Sequence, residues 1–173
     1  GVTVVHLVPA TAPLLDAALA GDDALAAAIG APVAPGWAGF PEALPALRDA
    51  APAGAPPDDA EHWGSHLFLA GDPTTVVGLG GFYGPPSPDG TVEIGYAVAP
   101  AHQGRGLATA AVDLLVEQAA AAGVEDVLAH TLAEENASVA VLRRAGFALD
   151  GTEVDPDEGE VWRWRRYVGR TST

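Results

Sequence analysis

The residues best placed to do chemistry in this chain gather between positions 91 and 108. Val92-Glu93-Ile94-Gly95-Tyr96-Ala97-Val98 alternates like a strand. It continues through Ala99-Pro100-Ala101-His102 into Gln103-Gly104-Arg105-Gly106-Leu107-Ala108, and then into an Ala/Leu-rich helix. A strand, a glycine-rich turn and a helix N-terminus in that order form an anion cradle. Backbone amides point at the ligand, the helix dipole favours negative charge, and glycine lets a phosphate come close. Apart from Arg48, Arg105 is the one base in the first 140 residues, and it falls inside this turn. The turn is not a P-loop, because no Gly-Lys-Ser/Thr follows. It is not the dinucleotide fingerprint either, because the third glycine would fall at Thr109. A glycine turn that binds nothing is the alternative these residues alone leave open.

The strand before the turn carries two further groups. Alternation sets Glu93, Gly95 and Ala97 on one face and Ile94, Tyr96 and Val98 on the other. A carboxylate in so apolar a strand is a candidate general base or a salt-bridge partner. Tyr96 is a candidate acid or a pocket wall. The chain has no cysteine, so disulfides, thiolate metal sites and a covalent acyl-cysteine are excluded.

Gln103-Gly-Arg-Gly-Leu-Ala108 resembles the central Gln/Arg-x-x-Gly-x-Gly/Ala signature of the GCN5-related N-acetyltransferase (GNAT) superfamily. A second block is similar too: His130-Thr-Leu, Glu135-Asn-Ala-Ser138, then Val141-Leu-Arg-Arg-Ala-Gly-Phe147. The strand Glu93-Ile-Gly-Tyr96 looks like that of the ribosomal-protein N-terminal acetyltransferase-like branch. The resemblance covers about residues 91–147. It implies an α/β (α+β) fold with a central, mixed, mostly antiparallel sheet of six or seven strands and about four flanking helices. Two parallel strands, at 91–98 and 127–132, would splay apart to hold acetyl-CoA.

The resemblance also implies roles. Ala97, Val98 and Ala99 would contact pantetheine and acetyl through the backbone, with an amide near Val98 as the oxyanion donor. The amides of Gln103, Gly104, Arg105, Gly106, Leu107 and Ala108, with Thr109, would hold the pyrophosphate. Asn136 and Ser138 would face the cosubstrate, although Asn136 is equally a helix cap and Ser138 equally a first-turn residue. The expected reaction is acetyl transfer to a primary amine, a protein N-terminus or a small molecule, by direct attack in a ternary complex. Glu93 would be the base. Relatives that place a tyrosine acid before the Gly-Phe depart from this chain, which has Leu142 and Arg143 there. Tyr96, Ser138 or solvent is left as the acid. The alternatives are another acyl-CoA, an antibiotic-like amine acceptor, or an inactive CoA-binding regulator.

The acceptor pocket is expected from residues 30–66 and the last hairpin, with Trp37, Phe40, Trp63 and His66 as substrate-binding candidates. Asp58, Asp59 and Glu61 would favour a cationic acceptor there. Trp162 and Trp164 share a face of the final strand and read as core or interface. The five histidines are scattered, so no metal is expected.

These residues need a scaffold, and the periodicities supply one. Residues 2–8 read as a strand, and 11–20, 22–29 and 40–50 as helices. Residues 66–70, 75–82 and 91–98 read as three successive antiparallel strands. Residues 109–122 form an amphipathic helix, 127–132 a strand, and 136–145 a helix capped by Asn136. A hairpin at 147–152 and 161–167 closes the chain. Gly78, Gly80 and Gly81 point to a bulge or a close backbone approach. With 173 residues, 49% of them apolar, a single domain over 1–173 is expected. The 23 acids against 8 bases, a net charge of -15, argue against nucleic acid and anionic membrane as partners. No signal peptide or membrane span is read, so a cytoplasmic location is expected, with a homodimer as one option.

Overall fold

The computed structural model describes residues 4–54 and 62–169. In chain order the elements are β1 (Val5–Pro9), α1 (Ala12–Ala20), α2 (Asp22–Ile29), α3 (Leu44–Asp49), β2 (Ser65–Ala70), β3 (Thr75–Phe82) and β4 (Thr91–Val98). They continue with α4 (Leu107–Ala121), β5 (Asp126–Leu132), α5 (Ala137–Arg144), β6 (Ala148–Asp155) and β7 (Gly159–Tyr167). The strands form one sheet in the order β1-β2-β3-β4-β5-β7-β6. Every neighbouring pair is antiparallel except β4 and β5. A parallel pair needs a crossover, and α4 is that crossover. The expected mixed, mostly antiparallel sheet is therefore present, with seven strands and five α-helices among the described residues.

Each face carries its own core. Leu15, Leu25, Trp37 and Leu44, from α1 to α3 and the loop between them, pack on Leu67, Leu69, Val76 and Leu79. On the other face Val112, Leu115 and Val116 of α4 and Leu142 of α5 cover Ile94, Val127, Ala129 and Trp164. Each fully buried Leu, Ile or Val among them contributes about 1.5–3 kcal/mol. The glycines of β3 serve close approach, as expected. Side chains at Gly78 or Gly80 would collide with the Phe68 ring and with β4 carbonyls.

One irregularity positions the site. Pairing of β4 with β5 runs from Thr91↔Asp126 to Ile94↔Ala129 and then stops. Beyond that point β4 stays with β3 as far as Val98↔Gly78, and β5 stays with β7 as far as Leu132↔Val161. Each strand follows its outer partner, and the two part as the expected V-shaped gap.

Candidate functional site

The gap is lined by backbone whose hydrogen bonds alternate. Tyr83 N–H donates to the Glu93 carbonyl, and Ala99 N–H donates to the Val77 carbonyl. The odd-numbered residues of β4 are thus turned toward β3. By the same alternation, Tyr96 and Val98 turn their amides toward the unpaired side. This narrows the expected contact set of Ala97, Val98 and Ala99. The Ala99 amide is already engaged, and Ala97 is registered against Leu79. The Val98 carbonyl accepts from the side chain of Gln103 at 3.0 Å, which ties the turn to the strand.

The turn itself is exposed from Gln103 to Gly106. Gly104 and Gly106 take φ of +77° and +79°, the left-handed region that costs other residues about 1–2 kcal/mol. Gly106 caps α4, and the first helical bond runs from Ala110 N–H to its carbonyl. The amides of Leu107, Ala108 and Thr109 therefore stand ahead of the first closed turn, where a helix binds anions. Gln103 departs from its expected role, because its own amide closes the Pro100–His102 3-10 turn at 3.3 Å. A β-carbon at Gly104 would meet nothing within 4 Å, so the cradle is open on that side. These features fit a pyrophosphate.

Asn136 is the cap of α5, its Oδ1 accepting from Val139 N–H at 3.0 Å. The Ser138 carbonyl accepts from the Tyr96 hydroxyl at 3.1 Å, so Tyr96 reaches from β4 to α5. Burial pushes the Tyr96 phenol up to about 12. A phenol so placed holds its proton at neutral pH.

Glu93 lies on the opposite face, and its side chain is 38% exposed. It is not alone there. His130 of β5 places Nδ1 at 3.4 Å from Glu93 Oε2 and Nε2 at 2.9 Å from Glu153 Oε2. The Tyr83 hydroxyl lies over Gly95, one alternate position along β4, where a β-carbon would strike it. The crowding of that hydroxyl and the nearby Glu93 carboxylate both push the Tyr83 phenol up. The Tyr83 ring remains 73% exposed. Sequence reasoning missed Tyr83, His130 and Glu153 as partners of Glu93. For His130 a signal existed: like Glu93, it is a polar residue inside an apolar strand. Tyr83 follows β3 in a loop with no motif.

The four acceptor candidates separate. Gly39 packs against the Ala97 methyl, on the Glu93 face of β4, and the adjoining Phe40 is 66% exposed. Trp37 is 3% exposed in the core beneath α1 and α2, and its Nε1 donates to Asp22 at 3.1 Å. It anchors α2 and does not face an open site. His66 is 1% exposed, and its ring, like that of Trp63, packs with Phe82 in the layer under α4. Phe82 is registered opposite Ile94 in the cluster under α4, so both rings lie on the face away from Glu93. Asp58, Asp59 and Glu61 lie outside the described residues. Trp164 is buried, its Nε1 donating to Thr131 Oγ1 at 2.9 Å, which settles it as core. Among the described residues no cluster of His, Cys, Asp and Glu suits a metal, and no helix is long and apolar enough to cross a membrane.

Known proteins share this fold. No curated protein matches the chain. Among solved structures, the microcin C7 self-immunity acetyltransferase MccE, in complex with acetyl-CoA and AMP, is 17% identical. Its alignment covers 74% of this chain and 69% of that one, with a TM-score of 0.59. The yncA protein of Salmonella typhimurium, solved with acetyl-CoA, is 22% identical over 63% of this chain and 68% of its own (TM-score 0.53). The Vibrio cholerae spermidine N-acetyltransferase, in complex with CoA and spermine, is 17% identical over 61% and 65% (TM-score 0.54). At these identities the likeness is one of fold. The model of the acetyltransferase (GNAT) domain matches residues 7–148, which take in most of the sheet and the two blocks at 103–108 and 130–147. The chain belongs to the GNAT acetyltransferase family.

Proposed function

We propose that this chain, as a single domain, transfers an acetyl group from acetyl-CoA to a primary amine in a ternary complex. The observation that carries the reading is the parting of β4 and β5 beyond Ile94 and Ala129, with the glycine cradle at the end of the gap and Glu93 across the strand. Bound acetyl-CoA supplies an activated thioester. The amides of Leu107, Ala108 and Thr109 hold its pyrophosphate, with those of Gly104 to Gly106. The Val98 amide, turned into the gap, is the oxyanion donor. Glu93 takes the proton that the amine must lose, by direct contact or through one water.

The acceptor enters over the Glu93 face, past Phe40 and Tyr83. That face carries Glu93, Asp150 and Glu153 against Arg163, Arg165 and His130, and the whole chain, with 23 acids against 8 bases, is acidic. Such a field favours an acceptor that arrives as an ammonium ion, whether a polyamine, another small amine or a peptide N-terminus. The ribosomal-protein-like strand Glu93-Ile-Gly-Tyr96 keeps the peptide N-terminus among these. Cytoplasmic acetyl-CoA is the donor this reading requires.

The test is release of free CoA with spermine, an aminoglycoside and a short peptide as acceptors. Amine-dependent release that falls about 100-fold in Glu93→Gln, with acetyl-CoA affinity retained, supports the reading. Tight acetyl-CoA binding without release on any amine would make the chain a CoA-binding regulator instead.

A further inference from the structure

Glu93 is the first member of a chain of polar groups that crosses the sheet. His130 stands between Glu93 Oε2, 3.4 Å from Nδ1, and Glu153 Oε2, 2.9 Å from Nε2. Glu153 Oε1 accepts from Arg163 at 2.5 Å, and Arg163 shares Asp150 with Arg165. The topology makes this possible. β5 is flanked by β4 on one side and β7 on the other, and His130 is registered opposite Arg163. Its ring therefore reaches back to Glu93 and forward over β7 to β6.

The neighbours come from several parts of the fold, beginning with Tyr83 of the loop after β3, whose hydroxyl lies near Glu93. Glu93 comes from β4, Arg163 from β7, and Glu153 from β6. Asp155, at the end of β6, is held below the usual carboxylate range chiefly by the amides of Glu158 and Asp157, and secondarily by the charge of His130. Arg163, and then His130, hold Glu153 below that range too. Exposure along the path is 38% at the Glu93 side chain, 24% at His130 and 42% at Glu153, so the ring is the shielded link between two carboxylates. The path leads from the reaction face to water.

We propose that His130 is a positioning residue for Glu93 and the relay that carries the amine proton to Glu153 and solvent. This rests on the acetyl-transfer reading above. An acceptor that arrives as an ammonium ion first loses one proton to solvent. As its nitrogen bonds to the acetyl carbon, the carbon–sulfur bond of the thioester breaks and the nitrogen loses a second proton to Glu93. Glu93 passes it to His130 at Nδ1, a ring proton leaves from Nε2 toward Glu153, and that exposed carboxylate hands it on to water. For each acetyl group transferred, one proton from the neutral amine travels this path, CoA leaves as the thiolate and takes a proton from water, and no electrons are exchanged. Exchange of ring protons with water then restores the starting tautomer.

A static ion-pair cluster on a half-exposed face is the competing explanation, and such pairs contribute about 0–1 kcal/mol. Two measurements on the full chain separate them. The first needs no acceptor. Glu93→Gln and Glu153→Gln are each expected to shift the ring-nitrogen resonances of His130 in nitrogen-15 spectra. Resonances unmoved by Glu93→Gln overturn the relay, whatever the chain's activity. The second uses the fastest of spermine, the aminoglycoside and the peptide. His130→Ala is expected to lower kcat about 10- to 100-fold with KM for acetyl-CoA unchanged. Added imidazoles should restore the rate in order of their basicity. A wild-type rate in His130→Ala, or rescue indifferent to basicity, overturns the relay alone. A wild-type protein inert toward every amine overturns the acetyl-transfer reading and the relay's role together.

Discussion

The hydroxyl of Tyr83 occupies the space that a β-carbon of residue 95 would fill. Glycine at 95 thus lets a loop tyrosine lie flat on β4, with its hydroxyl near the Glu93 carboxylate. The contact joins the loop after β3 to the strand that carries the candidate base.

The contact predicts that Gly95→Ala and Tyr83→Phe act in the same direction. The added methyl drives the exposed Tyr83 ring outward, and the phenylalanine removes only the hydroxyl. Each is expected to raise KM for the amine about fivefold, the value of one hydrogen bond of about 1 kcal/mol. Steady-state kinetics at fixed acetyl-CoA check this. An unchanged KM in both variants would remove Tyr83 from the acceptor path.

Gly104→Glu places a carboxylate in a cradle built for phosphate. Its side chain meets open space, so the fold should survive with a loss of about 1–2 kcal/mol from the left-handed backbone. Affinity for acetyl-CoA should fall more than tenfold, read by calorimetry. Gly104→Ala, with the same strain and no charge, should lose less. Equal losses in the two variants would mean that the backbone, not the charge, matters.

Asn136 separates a cap from a cosubstrate contact. Asn136→Ala should cost about 1 kcal/mol through the lost bond to Val139, lowering Tm by roughly 2–4 °C. Asn136→Asp keeps the cap and should restore Tm. If the aspartate variant recovers stability but not acetyl-CoA affinity, the side chain serves both roles.

His66 predicts an acid-side loss of stability. Burial, followed by the charge of His62, pushes it down to about 4, so the folded protein holds it neutral where an unfolded chain, with the ordinary value of 6.5, takes up a proton. Between pH 6.5 and 4 the unfolded state binds more protons, and stability falls as pH falls. Over that window the contribution amounts to about 3 kcal/mol. Among the described residues its Nδ1 has no hydrogen-bond partner, and a backbone bond with Gly64 offsets only part of the burial. Urea unfolding of wild type and His66→Gln at pH 7 and pH 4.5 should show a steeper loss in wild type. Parallel losses would assign the acid sensitivity to other groups.

Much of this was legible in the sequence, for identifiable reasons. The boundaries of β3 and β4 follow from period-two patterns flanked by turn residues. Asn136 announced α5 because a side-chain acceptor before an apolar run is a local signal. The anion cradle was legible because two glycines ahead of a helix act through their own backbone. Trp37, Trp63 and His66 were misread because periodicity tells which residues share a face, not which layer will cover that face. The chain order of β6 and β7 likewise conceals that β7 is the one beside β5.

The sequence by itself therefore determined the strand–turn–helix that can hold a pyrophosphate, and the candidate base on the strand before it. Those depend on residues a few positions apart, joined by local backbone rules. Only the tertiary structure decided that β4 and β5 part after Ile94 and Ala129, that Glu93 meets His130 and Tyr83, and that His130 in turn meets Glu153. Those contacts join residues separated by tens of positions, and strand order and register, set by the packing of both cores, bring them together.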